Sequence, residues 1–252
     1  MRAALAAFLI LASSAQSAPA DVRDLVAPGP DRDVPMRCYA NPGEDPHPVI
    51  AILHGGRGYE AFRAQYEGHA SALVSRGFRV CAVLYYSDQD LRVMHSGDRD
   101  ARQARYQTQF NTWVGAANQA VDYLSRLATT TSGGVGVLGF SQGAFLAVAV
   151  AGTNSNVRAL VEFYGGVPSI AQARIARLPP TLIVHGDADK VVSVQEAYVL
   201  KDFVEMKAPN YGIRIYPGAG HGFDANANDA RAIDARQKAV DFFSAHLPSS
   251  SK

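Results

Sequence analysis

The sequence predicts an α/β fold in which helices cover both faces of a mostly parallel central sheet. Apolar runs of strand length, at residues 48–53, 78–86 and 157–164, alternate with longer stretches whose apolar side chains recur every three or four positions. A strand-length run without polar alternation is typical of a strand covered on both faces. Strands that alternate with helices indicate a parallel sheet, which binds ligands at the carboxyl ends of its strands.

The other elements follow from the same patterns, taken in chain order. Residues 34–39 predict a first strand, and Pro35 favours the sheet edge because proline cannot donate a ladder hydrogen bond. Residues 87–105 are strongly charged and predict a solvated loop and helix start, part of which borders the site. Further helices are predicted over 61–75, 113–127 and 143–150, and further strands over 134–138, 181–185 and 211–216. A final helix is expected to pack through Ile233, Val240, Phe243 and Leu247.

The first 20 residues have the pattern of a cleaved secretory signal peptide. Arg2 precedes an apolar segment at residues 3–12, and small residues follow up to Ala20. The apolar segment is too short to span a bilayer; a buried N-terminal helix is the alternative interpretation. We therefore expect a signal peptide at 1–20, a periplasmic or secreted protein, and a single α/β domain at 21–252.

The balance of charged residues argues against some classes of binding partner. The chain has 24 basic and 23 acidic residues, a formal net charge of +1, and 48% hydrophobic residues. Such a balance provides no strongly charged surface for nucleic acid or for an anionic membrane. We therefore expect a small-molecule substrate, no nucleic acid and no membrane insertion, while the composition leaves the oligomeric state open.

A nucleophile elbow is predicted at residues 139–143, with the sequence Gly-Phe-Ser-Gln-Gly. In such an elbow a serine stands on a strained turn between a strand and a helix, and the flanking glycines let neighbouring backbone pass close by. Here a β-rich run precedes Ser141, and a small, apolar run that can continue as a helix follows it. A chance match to the five-residue pattern is the alternative, and the partners of the serine decide between the two.

Residues of the required types follow the serine in the chain order of this architecture, an acid and then a histidine. Asp187 and Asp189 lie directly after the strand at 181–185, and either carboxylate could orient a histidine. Of the seven histidines, His221 alone stands on a loop after a strand downstream of these acids. A serine nucleophile needs such a base because its hydroxyl reacts poorly at neutral pH.

A glycine-rich loop at residues 54–58 follows a buried strand. Free backbone amides in such a loop can stabilise an oxyanion, and we expect the amide of Gln142 to act together with that of Gly56 or Arg57. An ordinary glycine-rich turn is the alternative.

The loops around the site are expected to set its specificity. In the loops at 58–62 and around 87–105 we expect Tyr59 and Tyr86 to contact substrate. Only a short connection lies between residues 166 and 181, too short for a cap domain. The site should therefore be open.

Three longer motifs carry further information. They are Phe-Tyr-Gly-Gly at 163–166, His-Gly-Asp-Ala-Asp-Lys-Val-Val at 185–192 and Tyr-Pro-Gly-Ala-Gly-His-Gly-Phe at 216–223. With these motifs the chain resembles, over about residues 48–247, the dienelactone hydrolase family of α/β-hydrolases. The second motif matches the family's Gly-x-x-Asp-x-x-Val, which implies that Asp189 is the acid rather than Asp187. The resemblance also implies an α/β-hydrolase fold without a large cap domain.

The chain departs from this family at three places. Typical members carry a cysteine where this chain has Ser141, a Pro-Asp pair in place of Val83-Leu84, and a glutamate in the loop at 54–58. Dienelactone itself is therefore not the expected substrate.

The family's sheet order also bears on the two cysteines. It implies that the strand with Cys38 lies beside the strand with Cys81 and antiparallel to it, and hence that a disulfide joins them in an oxidising compartment. Two separate buried cysteines are the alternative.

Together these features predict a secreted serine hydrolase that cleaves carboxylic esters with short acyl chains or lactone-like substrates. Ser141 is the expected nucleophile, His221 the base and Asp189 the orienting acid, and no metal or organic cofactor is required. A serine peptidase or a thioesterase would use the same groups. A binding protein that keeps the fold without catalysis is the alternative from a different class.

Overall fold

The structure, a computed structural model, describes residues 21–42, 47–127 and 130–247, and the expected signal peptide lies outside these ranges. The strands in the described ranges are β1 Asp21–Ala27, β2 Val34–Ala40, β3 His47–Leu53, β4 Arg79–Val83, β5 Thr130–Phe140, β6 Val157–Phe163, β7 Thr181–Gly186 and β8 Tyr211–Tyr216. They form one sheet in the order β1-β2-β4-β3-β5-β6-β7-β8. Strands β3 to β8 run parallel, whereas β2 pairs antiparallel with β1 and β4, which confirms the predicted mostly parallel sheet.

Helices pack on both faces of this sheet, as predicted. Those in the described ranges are α1 Arg63–Val74, α2 Asp88–His95, α3 Arg99–Arg126, α4 Gln142–Thr153, α5 Val194–Glu205 and α6 Ala230–His246. One face is covered by α3, α4 and α5 through a buried cluster that includes Trp113, Leu146 and Leu200. The other face is covered by α1 and α6 through a second cluster that includes Tyr66 and Phe243.

The N-terminal end of the sheet differs from the prediction. Strand β1 has mostly exposed side chains and an apolar run of only three residues, at 25–27, so the sequence did not indicate it. Because β1 covers β2, the prediction that Pro35 marks a sheet edge is wrong. Proline is tolerated near the start of β2, where its carbonyl still accepts a hydrogen bond from the amide of Leu84 at 2.9 Å.

Two helical segments also differ. Residues 87–105 form α2 as well as the start of α3, because Ser87 and Asp90 make a reciprocal capping box that begins α2. In α6, Ile233 is 53% exposed, so its predicted place in the packed stripe is wrong. The buried face of α6 is formed by Ala232, Ala235, Ala239, Val240 and Phe243.

A disulfide joins Cys38 on β2 to Cys81 on β4, which confirms the predicted pairing. The two residues lie directly opposite each other in the antiparallel ladder, and both are buried. Cross-linking residues 43 positions apart restricts the unfolded chain and contributes about 2 to 4 kcal/mol to stability.

The connection between β6 and β7 is short and carries a single 3₁₀ turn, Gln172–Arg174. No cap domain is therefore inserted at this point of the described chain. Across the described ranges, no helix combines the length and the apolar character that crossing a bilayer requires.

Glu162 on β6 is a fully buried carboxyl group. One of its oxygens accepts a hydrogen bond from the amide of Gly165 at 2.8 Å, and the other has no partner among the described residues. Burial raises the pKa of Glu162 to about 8, and the Gly165 hydrogen bond offsets only part of that effect. Glu162 therefore keeps its proton at neutral pH in the folded protein.

We expect Glu162→Gln to stabilise the protein increasingly as the pH rises from about 4.5 to about 8. Above the lower value glutamate ionises in the unfolded chain, whereas the buried side chain stays protonated, so wild-type stability falls until the higher value is reached. Between about pH 4.5 and neutral pH the stability of the variant relative to the wild type rises by about 3 kcal/mol. Urea unfolding across this pH range measures it, with the exposed Glu60→Gln as control. A gain that does not change with pH would contradict the raised pKa.

Candidate active site

Ser141 stands at the turn between β5 and α4, with φ 52° and ψ −122°. A residue other than glycine adopts such a conformation only at an energetic cost. The flanking glycines are required by close backbone approach. A Cβ on Gly143 would lie 2.2 Å from the carbonyl oxygen of Leu53, and a Cβ on Gly139 would lie 2.5 Å from that of Gly143. This geometry is that of a nucleophile elbow.

Two hydrogen bonds connect Ser141, His221 and Asp189 in series. His221 Nε2 lies 2.9 Å from Ser141 Oγ, and His221 Nδ1 donates to Asp189 Oδ2 at 2.7 Å. The other oxygen of Asp189 accepts from the amides of Val191 and Val192, at 2.8 and 2.9 Å, which fixes the buried carboxylate. The structure thus brings together the three residues that the sequence predicted for the triad.

Asp187, the alternative acid, binds backbone rather than the imidazole of His221. Its carboxylate accepts a hydrogen bond at 2.6 Å from the amide of Gly218, in the turn that leads to His221. Asp189 contacts the imidazole, whereas Asp187 holds backbone of the turn that carries it. The two carboxylates therefore have separate positions and separate partners.

A buried polar cluster supports the His221 turn from its other end. Asp224 follows His221 by three residues, and its carboxylate accepts from Tyr164 Oη at 2.9 Å. It also accepts from Gln65 Nε2 and His69 Nε2, each at 2.8 Å. Burial alone would raise the pKa of Asp224, but the hydrogen bonds outweigh burial and lower it. The Tyr164 ring packs edge-on against His221, with centroids 4.7 Å apart.

No sequence motif predicted this cluster, because its members come from separate segments of the chain. Gln65 and His69 lie on α1, Tyr164 follows β6, and Asp224 lies after β8. The one local signal was the repeat of polar residues four positions apart on α1, which also occurs on ordinary solvated helix faces.

Two other histidines near the site are kept neutral by burial. His185 lies 3.5 Å from Asp189, and its Nε2 donates to the carbonyl of Val192 at 3.0 Å. Burial lowers the pKa of His185, and it lowers that of His54 to about 4. His54, the first residue of the glycine-rich loop, stacks on Tyr85 with centroids 4.0 Å apart. Among the histidines of the described chain, His221 is the one hydrogen-bonded to Ser141.

The glycine-rich loop and the start of α4 lie on the same side of Ser141. A Cβ on Gly55 would be 3.6 Å from Ser141 Cβ, and one on Gly56 would be 3.2 Å from Gln142 Oε1. Gly56 and Arg57 line the pocket beside the serine. As the first residue of α4, Gln142 has an amide that no carbonyl within the helix can accept.

An open pocket of about 310 Å³ lies against Ser141 and His221. Arg57 and Arg102 line it, and no Asp or Glu of the described chain does. Its other large side chains are mainly apolar, from Phe62, Tyr66, Met94, Phe140, Tyr164 and Val191. The pocket therefore suits a small and largely apolar substrate. The described residues include no group of three or more His, Cys, Asp or Glu side chains that could hold a metal ion.

Neither Tyr59 nor Tyr86, the two expected substrate contacts, lines this pocket. Both are buried. The hydroxyl of Tyr59 is hydrogen-bonded to that of Tyr39 at 2.5 Å. The hydroxyl of Tyr86 lies behind the glycine-rich loop and contacts Gly56 and Gln142.

Comparison with known proteins assigns the chain to a family. The sequence profile of the Dienelactone hydrolase family matches residues 36–247. The chain belongs to the dienelactone hydrolase family. Its sheet and helices form the α/β-hydrolase fold.

Individual relatives extend this finding. Acyl-coenzyme A thioesterase 3 of Mus musculus is 33% identical to this chain over 156 residues. The match covers 59% of this chain and 31% of the thioesterase, so the chain spans about a third of the length of that relative. A dienelactone hydrolase structure from Anabaena variabilis ATCC 29413 has a TM-score of 0.71 at 18% identity and covers 91% of this chain and 100% of that chain. Thermogutta terrifontis esterase 2, phosphorylated by paraoxon, has a TM-score of 0.70 at 16% identity, over 96% and 100% of the two chains. At these identities the two structures share the fold.

We expect Asp189→Asn to lower kcat for ester hydrolysis on the order of a thousandfold, because the amide no longer holds the tautomer and charge of His221. Asp187→Asn should lower it by less than about tenfold, since asparagine can still accept from the Gly218 amide. Initial rates and thermal unfolding of both variants check the ranking. The reverse ranking would move the orienting acid to Asp187.

Proposed function

We propose that this protein is a secreted serine hydrolase that cleaves carboxylic esters of short acyl chains, or lactone-like substrates, through an acyl-enzyme. The observation that carries the proposal is the hydrogen-bonded series of Ser141, His221 and Asp189 beside an open, largely apolar pocket. Membership in a family of hydrolases supports the reaction type.

In the first half-reaction Ser141 Oγ attacks the acyl carbonyl carbon while His221 Nε2 takes the hydroxyl proton. The bond to the leaving alcohol then breaks, and His221 returns the proton to the alcohol oxygen. Asp189 accepts from Nδ1 throughout, which keeps the imidazole in the required tautomer and stabilises its charged form. Water then repeats the attack on the acyl-enzyme with the same base and releases the acid.

Negative charge develops on the carbonyl oxygen in both half-reactions and needs fixed donors. The amide of Gln142 is one proposed donor. Gly56 is preferred over Arg57 for the other, because the peptide that carries its amide begins at Gly55, which adjoins Ser141. This chemistry requires no metal or organic cofactor.

The proposed location outside the cytosol rests on two independent features. The sequence at 1–20 has the pattern of a signal peptide. The disulfide between Cys38 and Cys81 is of a kind that persists in oxidising compartments and is rare in the cytosol. Fractionation of cells that express the full chain tests a periplasmic or secreted location.

A thioester is the second candidate substrate, favoured by the similarity to an acyl-coenzyme A thioesterase. The same serine would attack, and a thiol would leave in place of an alcohol. An oxygen ester and a thioester with the same acyl group separate these candidates, and a peptide amide with that acyl group tests the peptidase alternative. A binding protein without catalysis would turn over none of the three.

We expect Ser141→Ala to lower ester hydrolysis on the order of a thousandfold or more without altering the fold, because the nucleophile is lost. A fluorophosphonate probe should label the wild type and leave this variant unlabelled. Ser71→Ala, at an exposed position on α1, is the matched control and should keep both labelling and activity. More than about a tenth of wild-type turnover in the alanine variant would contradict the assignment of the nucleophile.

Short acyl chains should be preferred, because the pocket is open and no cap domain within the described residues encloses it. Each additional methylene gains about 0.8 kcal/mol only where apolar surface buries it. We therefore expect kcat/KM to be highest for acetyl to butyryl esters and to fall for dodecanoyl esters, measured with one common leaving group. A steady rise up to dodecanoyl would indicate an enclosed acyl site instead.

A further inference from the structure

The loop at residues 54–58 has three glycines, and glycine backbone adopts many conformations. An oxyanion donor must nevertheless stay in one place during the reaction. In the structure, side chains from outside the loop bind its backbone. The contacts are Tyr66 Oη with the Gly55 amide at 2.9 Å, Tyr85 Oη with the His54 carbonyl at 2.5 Å, Tyr86 Oη with the Gly56 carbonyl at 3.2 Å, and His95 Nε2 with the Arg57 carbonyl at 2.7 Å.

The hydroxyl of Tyr86 also reaches the helix that follows the nucleophile. The hydroxyl accepts a hydrogen bond from Gln142 Nε2 at 2.5 Å and donates one to the carbonyl of Gly56. Gln142 directly follows Ser141 and is the first residue of α4. One hydroxyl therefore connects the two segments from which the proposed oxyanion donors come.

Hydrogen bonds hold both of the peptide units that flank Gly56. A peptide unit is planar and trans, so holding its carbonyl also sets the direction of its N–H. The unit before Gly56 is held at the Gly55 carbonyl, which accepts from the amide of Gly58 at 3.0 Å. The unit after Gly56 is held at the Gly56 carbonyl by Tyr86. The first unit carries the Gly56 amide and the second carries that of Arg57, so Tyr86 acts on the Gly56 amide through the Gly56 Cα, which both units share.

We propose that Tyr86 is a positioning residue of the oxyanion hole, whose hydroxyl holds Gly56 and Gln142 at the spacing that lets both amides bind one oxyanion. The proposal rests on the proposed ester hydrolysis. The Tyr86 ring packs against Trp113 and Tyr85, with centroids 4.8 and 4.9 Å apart, so it is held independently of the hydroxyl.

The protonation state of the hydroxyl suits this task. Burial raises the pKa of Tyr86 above its ordinary value, so the hydroxyl keeps the proton that it donates to Gly56 at any pH used to assay an esterase.

Tyr86→Phe removes the hydroxyl and keeps the ring. We expect kcat to fall by about tenfold to a hundredfold with KM changed less than about twofold, because the lost support acts on the transition state. Tyr39→Phe is the matched control. Tyr39 and Tyr86 are both 7% exposed, and the Tyr39 hydroxyl binds Tyr59 away from the pocket. An unchanged kcat in Tyr86→Phe, or an equal loss in both variants, would overturn the proposal.

A lower rate in Tyr86→Phe could come from a weakened oxyanion hole or from a smaller amount of folded enzyme. A thionoester substrate, in which sulfur replaces the carbonyl oxygen, distinguishes these two causes. Sulfur is the weaker hydrogen-bond acceptor, so hydrolysis of the thionoester depends less on the oxyanion hole. The ratio of kcat/KM for the ester to that for the thionoester should therefore fall several-fold in Tyr86→Phe. A purely structural defect would lower both rates equally, and an unchanged ratio would overturn the proposal.

Gln142→Leu provides a second test that does not depend on the folding of Tyr86→Phe. It removes the side-chain amide that binds Tyr86 and keeps the backbone amide of residue 142. We expect the same direction of change in the ratio. The double variant should lose little more than Tyr86→Phe alone, because both side chains act through one contact. Fully additive losses would overturn the proposal.

The wild type separates this inference from the proposed function. If the wild type shows no ester hydrolysis that depends on Ser141, both the proposed function and the role of Tyr86 are wrong. If it does show such activity and Tyr86→Phe keeps the wild-type kcat, the role of Tyr86 alone is wrong.

Discussion

The site depends on the close approach of the end of β3 to the start of α4. At Gly143 any side chain would collide with the carbonyl of Leu53, because a Cβ would lie 2.2 Å from its oxygen. The absence of that Cβ lets α4 begin directly beside the glycine-rich loop at 54–58. Ser141 then stands between the loop and the helix, in a backbone conformation that the packed strands on either side maintain.

Side chains hold the functional loops around this point. The sheet provides the strand ends, and side chains add to the backbone hydrogen bonds that hold the turns beyond them. The His221 turn is held by Asp187 at its beginning and by Asp224 at its end. The glycine-rich loop is held by three tyrosine hydroxyls and by His95. Three tyrosines near the site therefore support loop backbone through their hydroxyl groups.

Several features near the site reduce stability and are tolerated because others contribute to it. The conformation of Ser141 and the burial of Glu162 both cost free energy of folding. The disulfide restricts the unfolded chain, and two hydrophobic clusters fill both sides of the sheet. Net stability is a small difference between the large contributions of burial and of conformational entropy. A domain therefore tolerates such local costs only if the rest of it is well packed.

The sequence by itself determined the α/β class, the family, the elbow around Ser141 and the order of acid and histidine after it. These features are local, because each is predicted from the hydrophobic period or the glycine spacing of one short segment. Strand β1 was not predicted because its side chains are mostly exposed and its apolar run is only three residues long. Ile233 was wrongly assigned to the packed stripe because a helix stripe inferred from few residues can shift by one position.

Only the tertiary structure decided which distant side chains meet. It placed Asp189 on His221 and Asp187 on Gly218, although the two carboxylates are two residues apart. It also removed Tyr86 from the pocket and set its hydroxyl between Gly56 and Gln142. The physical reason is that a hydrogen bond depends on ångström-scale placement of atoms brought together by the packing of separate elements, and no local pattern of residue types encodes that placement.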